Sequence, residues 1–133
     1  MHVRTAGRDD ALEVRRILDA AMLEPGNVEA RLDARDVLVA GDRRGADSTE
    51  RLLGALVLEP RERGAHVAAV GVRRRHRGRG IGRRLIERAL ERERRLTARF
   101  DDGVRPFYEA LGFAIEPIDE GRHRGVTVAD RVG

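Results

Sequence analysis

Residues 75–85 read RHRGRGIGRRL, five arginines and three glycines in eleven positions. The arginines suggest a basic strip that lies on nucleic acid, and the glycines suggest a loop that holds a phosphate. The neighbouring segments decide between them. GAHVAAVGV (64–72) before the stretch is small, apolar and β-branched, as in a strand. After it, Ile81, Leu85, Ile86, Ala89 and Leu90 recur on one helical face. Arg83/Glu87, Arg84/Glu87 and Arg88/Glu91 fall at pairing distance on the other face. The stretch is therefore a glycine loop between a strand and a helix. At the start of a helix the unpaired amides point outward, the helix dipole adds positive character, and glycines let the backbone approach an anion closely. The loop lacks the Gly-Lys-Ser/Thr ending of a triphosphate loop, and its glycines are wrongly spaced for the G-x-G-x-x-G dinucleotide fingerprint.

Composition sets the frame. A chain of 133 residues with 41% hydrophobic and 38% charged residues is apolar enough to fold and carries a highly charged surface. All 27 basic residues are arginine, and 23 acidic residues interleave with them, so the net charge of +4 says little about nucleic acid. Aromatic residues make up only 3%, and no strand shows the stacking pattern of an RNA-binding sheet. The absence of cysteine excludes disulfides, thiolate catalysis and zinc-thiolate sites. No stretch approaches the roughly 20 apolar residues of a membrane span, and a cytoplasmic protein is expected.

Elsewhere, HVRT (2–5) reads as a strand and Asp9 or Asp10 as the cap of a helix through about residue 22, broken by Pro25-Gly26-Asn27. Residues 27–35 suggest a short helix. VLVAG (37–41) and RLLGALVLEP (51–60) read as strands joined by a hairpin loop over residues 42–50. LTARF (96–100) is a strand, 101–103 a turn, VRPFYEAL (104–111) a helix stopped by Gly112, and FAIEPI (113–118) and RGVTV (124–128) a final strand pair. The order implies a mixed α/β fold, a sheet covered by helices.

VRRRHRGRGIGRRL (72–85) closely resembles the coenzyme-A signature of the GNAT superfamily of N-acetyltransferases, a loop Arg/Gln-x-x-Gly-x-Gly/Ala after a strand ending in Val. Arg77, Gly80 and Gly82 occupy its defined positions. FYEALGF (107–113) resembles the family's second signature, an aromatic-Tyr helix closing in Gly-Phe before a strand. The resemblance spans nearly the whole chain and is strongest over residues 64–113. It implies a single N-acetyltransferase-like domain over residues 1–133, with a mostly antiparallel sheet of about six or seven strands flanked by roughly three or four helices. It implies acetyl-CoA as co-substrate, no metal, and direct attack by a primary amine in a ternary complex. The acceptor is a small-molecule amine or a peptide or protein amine, and a homodimer is compatible with the reading. Non-catalytic binding of acyl-CoA by a regulatory module, and nucleic-acid binding, are the alternative classes.

Residue by residue, the resemblance implies that amides from Gly78 through Arg79, Gly80 and Ile81 to Gly82 hold the pyrophosphate beside Arg77. Main-chain groups near Val70 and Val72 then pair with the pantetheine arm and stabilise the oxyanion. Tyr108 matches the family's general acid for the departing thiolate. Where many members carry Asn, seven residues before this tyrosine, the chain has Asp101. One branch of the family places a basic Glu eleven residues before the loop's Arg, which is His66 here; alternation would set it on the face of Ala68 and Val70. Glu59 and a water chain compete for that role. His2, His76 and His123 share no metal-ligand spacing and read as solvent-facing or hydrogen-bonded. ERERR (91–95) reads as the wet face of a helix end, and Glu24, Glu29, Asp33 and Asp36 as carboxylates that could attract a cationic amine.

Overall fold

The computed structural model describes residues 1–21, 23, 26–43 and 49–129. Its sheet is built from β1 (His2–Thr5), β2 (Val37–Arg43), β3 (Glu50–Pro60), β4 (Ala65–Val72), β5 (Arg95–Asp101), β6 (Ala114–Asp119) and β7 (Arg122–Val128). The helices are α1 (Ala11–Ala20), α2 (Val28–Asp33), α3 (Ile81–Glu93) and α4 (Arg105–Ala110). The strands run β1-β2-β3-β4-β5-β7-β6, and every neighbouring pair is antiparallel except β4 and β5. The expected mixed sheet and helix order are present. Met22, Glu24 and Pro25, and positions 44–48 of the expected hairpin loop, lie outside the described residues.

The central strand β3 is buried on both faces from Leu52 to Leu58, which is why its sequence is a nearly unbroken apolar run. One face packs on α3 and α4 through Leu56, Leu58, Leu85, Ile86 and Phe100. The other packs on α1 and α2 through Val14, Ile17, Leu18, Leu32 and Val57. Gly54 lets α3 approach, since a Cβ there would lie 3.0 Å from Ile81 Cγ2 and 3.1 Å from the Gly71 carbonyl oxygen. Among the described residues no helix is long and apolar enough to cross a membrane.

Two irregularities of β4 shape the centre. Val57 faces Ala69 but Leu58 faces Val67, so Ala68 is an extra residue, a β-bulge. Toward β5, only Ala65–Leu96 and His66–Thr97 are paired. The rest of β4 and β5 diverge, and a wedge opens between them. The bulge also resets alternation: Ala65 and Val67 face α3, and so do Val70 and Val72, while Ala68 and Ala69 face α1. His66 therefore shares a face with Ala68 but not with Val70, correcting the alternation expected from sequence.

Several charged positions differ from expectation. Asp10 stands at the start of α1, but its side chain accepts from the Gly7 amide and pairs with Arg4 instead of capping the helix. Arg92 is exposed on the wet face as expected, yet it is also tied to the fold: it donates to the Arg35 carbonyl (2.6 Å) and to buried Asp36 (2.9 Å). Asp36 also pairs with Arg31 at 3.4 Å, Asp33 with Arg8 at 2.7 Å, and Glu29 with Arg15. Three of the four carboxylates considered for attracting a cation are thus already neutralised; Glu24 lies outside the described residues.

Arg4 ties edge strand β1 to the chain on both sides, with Asp10 at 2.9 Å and Glu50 at 2.5 Å. Its hydrogen bonds hold both carboxyls below the usual carboxylate range, with Asp10 also helped by the Gly7 amide and Glu50 by His2. A carboxylate lowered in the folded state contributes stability above its unfolded pKa of about 4 and loses it as pH falls through the folded value. Arg4→Met is expected to lower the urea midpoint at neutral pH and to flatten the further loss between about pH 4 and pH 2. Urea titrations of both proteins across that range check this, and parallel acid limbs would contradict it.

Candidate active site

The wedge between β4 and β5 opens into a cavity of about 860 Å³. Its walls are β4 from Val67 to Val72, β5 from Arg99 to Asp101, the loop and first turn of α3, and α4 with Phe107 and Tyr108. A volume of this size accommodates a drug-sized group.

The loop has the geometry its glycines suggested. A 3-10 turn at Arg74–His76 leads to Gly78 (φ +79°) and Gly80 (φ +80°), both left-handed, and α3 begins at Ile81. A Cβ at either glycine would meet nothing within 4 Å, so the space above the loop is open and the requirement for glycine is conformational. The first helical bond runs from the Arg84 amide to the Gly80 carbonyl at 3.0 Å. Among the described residues, the amides from Gly78 to Arg83 have no backbone acceptor, giving a run of free donors at the helix start. Arg77 folds back, its Nε donating to the Val72 carbonyl at 3.1 Å, and so fixes the loop to the end of β4. Arg79 lies 3.5 Å from His76 Nδ1. Gly82 has an additional task. A Cβ there would come within 3.2 Å of Phe107, so this glycine lets α4 close against α3.

Tyr108 is 5% exposed. It stacks on Phe100 with ring centroids 4.3 Å apart and meets Phe107 and Phe113 edge-on at 5.1 and 5.0 Å. Burial pushes its phenol up to about 12. Tyr108 is held by aromatic residues, and α4 is positioned from below. Asp102, in the 3-10 turn ahead of α4, accepts a hydrogen bond from Nε2 of buried His123, whose ring stacks on Phe100 at 5.8 Å. Asp101 pairs with Arg122 at 3.3 Å and makes no side-chain cap.

His66 does not line the cavity. It sits where β4 and β5 still pair, its Nδ1 2.8 Å from Thr97 Oγ1 and its backbone opposite Glu59. Burial, and next the Arg61 charge, lower its pKa, with Arg99 and Arg124 adding to this and Glu59 opposing it. Glu59 is half exposed and lies 3.4 Å from Arg61. The structure thus brings Val70, Val72, Arg77, Gly78, Gly80, Ile81, Gly82 and Tyr108 to one cavity and leaves His66 and Glu59 beyond its closed end. Arg99, Arg122, Phe100 and the His123–Asp102 pair were not singled out from sequence. Alternation in LTARFD would have put Phe100 inward and Arg99 outward, but nothing in the sequence pairs β5 with β7.

Among the described residues no group of three or more His, Asp or Glu side chains could hold a metal ion. A search of curated proteins finds no match. Solved structures share the fold at low identity. A Mycobacterium tuberculosis protein crystallised with CoA and NLQ has a TM-score of 0.76 at 16% identity, covering 97% of this chain and 99% of its own. Ard1 from Thermoplasma volcanium scores 0.73 at 17% identity over 98% of both chains. N-acetylglutamate synthase from Neisseria gonorrhoeae, crystallised with coenzyme A and L-arginine, scores 0.75 at 15% identity, with 98% of this chain covering 33% of that one. The model of the GNAT acetyltransferase domain matches residues 18–115, most of the sheet together with the loop and α4, and the chain belongs to that family of acetyltransferases.

Proposed function

We propose that residues 1–133 form a single acetyl-CoA-dependent N-acetyltransferase domain that moves an acetyl group to a primary amine in a ternary complex. The observation that carries this reading is the run of acceptor-free amides from Gly78 to Arg83 at the mouth of the β4–β5 wedge. The residues present fit the coenzyme. Two left-handed glycines leave open space above donors that suit a pyrophosphate, and the unpaired edge of β4 from Val67 to Val72 suits an extended amide-bearing arm. Neighbouring structures crystallised with CoA support the assignment.

When bound, acetyl-CoA supplies a thioester: the C–N bond replaces the C–S bond, the electron pair leaves on sulfur, and the ammonium gives up a proton. Arg77 holds the loop against β4, and strand amides near Val70 and Val72 are the donors for negative charge developing on oxygen. Tyr108 keeps its proton at every physiological pH. Passing it outright from a phenol near 12 to a thiol near 8.5 is uphill by on the order of 5 kcal/mol. The hydroxyl therefore acts chiefly by donating a hydrogen bond to the charge gathering on sulfur. Burial and the surrounding arginines keep His66 neutral and make it a weaker base, and it does not line the cavity, so it takes the amine's proton only through water, in competition with Glu59 or with a chain of waters alone.

Calorimetry with acetyl-CoA tests the cradle. Gly80→Asp, which strains a left-handed position and sets a carboxylate among the phosphate donors, is expected to weaken binding at least tenfold while circular dichroism shows a folded protein. Undetectable binding to the wild type at about 1 mM ligand would refute the assignment.

Tyr108 is the only tyrosine and there is no tryptophan, so tyrosinate absorbance reports this site alone. The folded protein is expected to titrate near 12, against about 10 once unfolded. Tyr108→Phe is expected to retain acetyl-CoA affinity and to lose roughly 100- to 1,000-fold in turnover. Unchanged turnover would assign the leaving group to water, and a native midpoint near 10 would contradict the burial of the phenol.

A further inference from the structure

The far side of the cavity carries a charge arrangement that bears on the acceptor. β5 turns Leu96, Ala98 and Phe100 toward α3 and α4, so Thr97, Arg99 and Asp101 lie on its other face. Register puts Arg124 of β7 directly opposite Arg99, and Arg122 opposite Asp101. Arg122 is neutralised by Asp101 at 3.3 Å, and Arg124 reaches Glu116 at 3.4 Å. Arg99 lines the cavity, is exposed, and has no ion-pair partner among the described residues.

Like charges directly opposed on neighbouring strands repel, and the cost is relieved when an anion lies between them. A guanidinium offers planar paired donors that match a carboxylate. The same face continues past Thr97 into a second cavity of about 490 Å³, walled by Arg61, Arg63, Arg95 and Arg124 with Glu62 as its one carboxylate. A purely cationic amine would meet repulsion along this route, and the carboxylates of α2 that could have drawn it in are already paired.

We propose that the acceptor amine carries a carboxylate close to its amino group, and that Arg99, backed by Arg124, binds that carboxylate and so orients the amine toward the wedge. The proposal rests on the acetyltransferase reading above and names its acceptor class. Two sources share the chemistry, a free amino acid through its α-carboxylate and a peptide N-terminus bearing an acidic side chain.

The test uses wild-type protein and Arg99→Gln, each saturated with CoA and titrated calorimetrically with L-aspartate, L-glutamate, their diamides, which keep the amine but lack a carboxylate, and aspartyl and glutamyl dipeptide amides. The same compounds are offered with acetyl-CoA while released thiol is measured. Carboxylates are expected to exceed their amides by about 10- to 100-fold in affinity and in kcat/KM, the range for one charge-assisted pair. Arg99→Gln should collapse that preference to within about twofold, and Arg99→Lys should restore part of it. Free acids preferred over dipeptide amides indicate the amino-acid source, and the reverse indicates the peptide source. Preference for amides or for cationic amines, equal losses on both series in Arg99→Gln, or no acceptor bound by a protein that does bind CoA would each overturn the proposal. Wild type that fails to bind acetyl-CoA removes both readings, whereas CoA binding without a carboxylate preference removes only this one.

Discussion

Everything at the site depends on two parallel strands that pair and then part. β4 and β5 share only Ala65–Leu96 and His66–Thr97, after which the extra residue Ala68 bends β4 away from its partner. Backbone donors and acceptors in a sheet interior are normally satisfied, and a strand edge left open at the centre of a sheet is tolerated where something else can pair with it. The wedge is closed at one end by the His66–Thr97 contact and walled on the other side by aromatic residues. An extended ligand can complete the sheet there without any strand of the protein moving. The same bulge places Val70 and Val72 against α3 while His66 looks the opposite way, so one inserted residue sets the two ends of β4 to different faces.

The loop and α4 are two halves of one construction. Gly78 and Gly80 take left-handed conformations that aim successive amides outward, whereas Gly82 makes room for Phe107. Phe107 meets Tyr108 edge-on, Tyr108 stacks on Phe100, and Phe100 rests on His123, which holds Asp102 at the entry to α4. The chain of contacts runs from the helix that begins the anion site to the side chain proposed to act at sulfur. It explains why so few aromatic residues suffice: three of the chain's three phenylalanines and its single tyrosine stand in one cluster.

Local signals made much of this legible in the sequence. Apolar spacing identified α3 and its buried face, the glycine pattern identified the loop, and the second signature located α4 and Tyr108. What stayed hidden depends on pairing between distant segments. Nothing in HVAAVGV marks Ala68 as extra, because a bulge is a relation between β4 and β3, and so strict alternation sent His66 to the wrong face relative to Val70. The tertiary contacts of exposed Arg92 stayed hidden because its partners, the Arg35 carbonyl and Asp36, lie far away along the chain. Arg99 drew no notice among many arginines; only the β5–β7 register shows it facing Arg124.

That last case shows how charge should be read in a chain whose basic residues are all arginine. Counting them says little, because many are committed: Arg4, Arg8, Arg15, Arg31, Arg73, Arg92 and Arg122 each hold a carboxylate. The informative positions are those where pairing stops. Arg77 donates to a carbonyl and Arg79 lies near a histidine at the loop, and Arg99 at the opposite wall has no ion-pair partner among the described residues. Arg77 and Arg99 both line the cavity without a carboxylate partner among the described residues, whereas many other arginines are paired. A uniformly basic protein would draw anions everywhere; in this one the pairings narrow the cationic positions, and those that remain include the loop and the Arg99 wall on either side of the wedge.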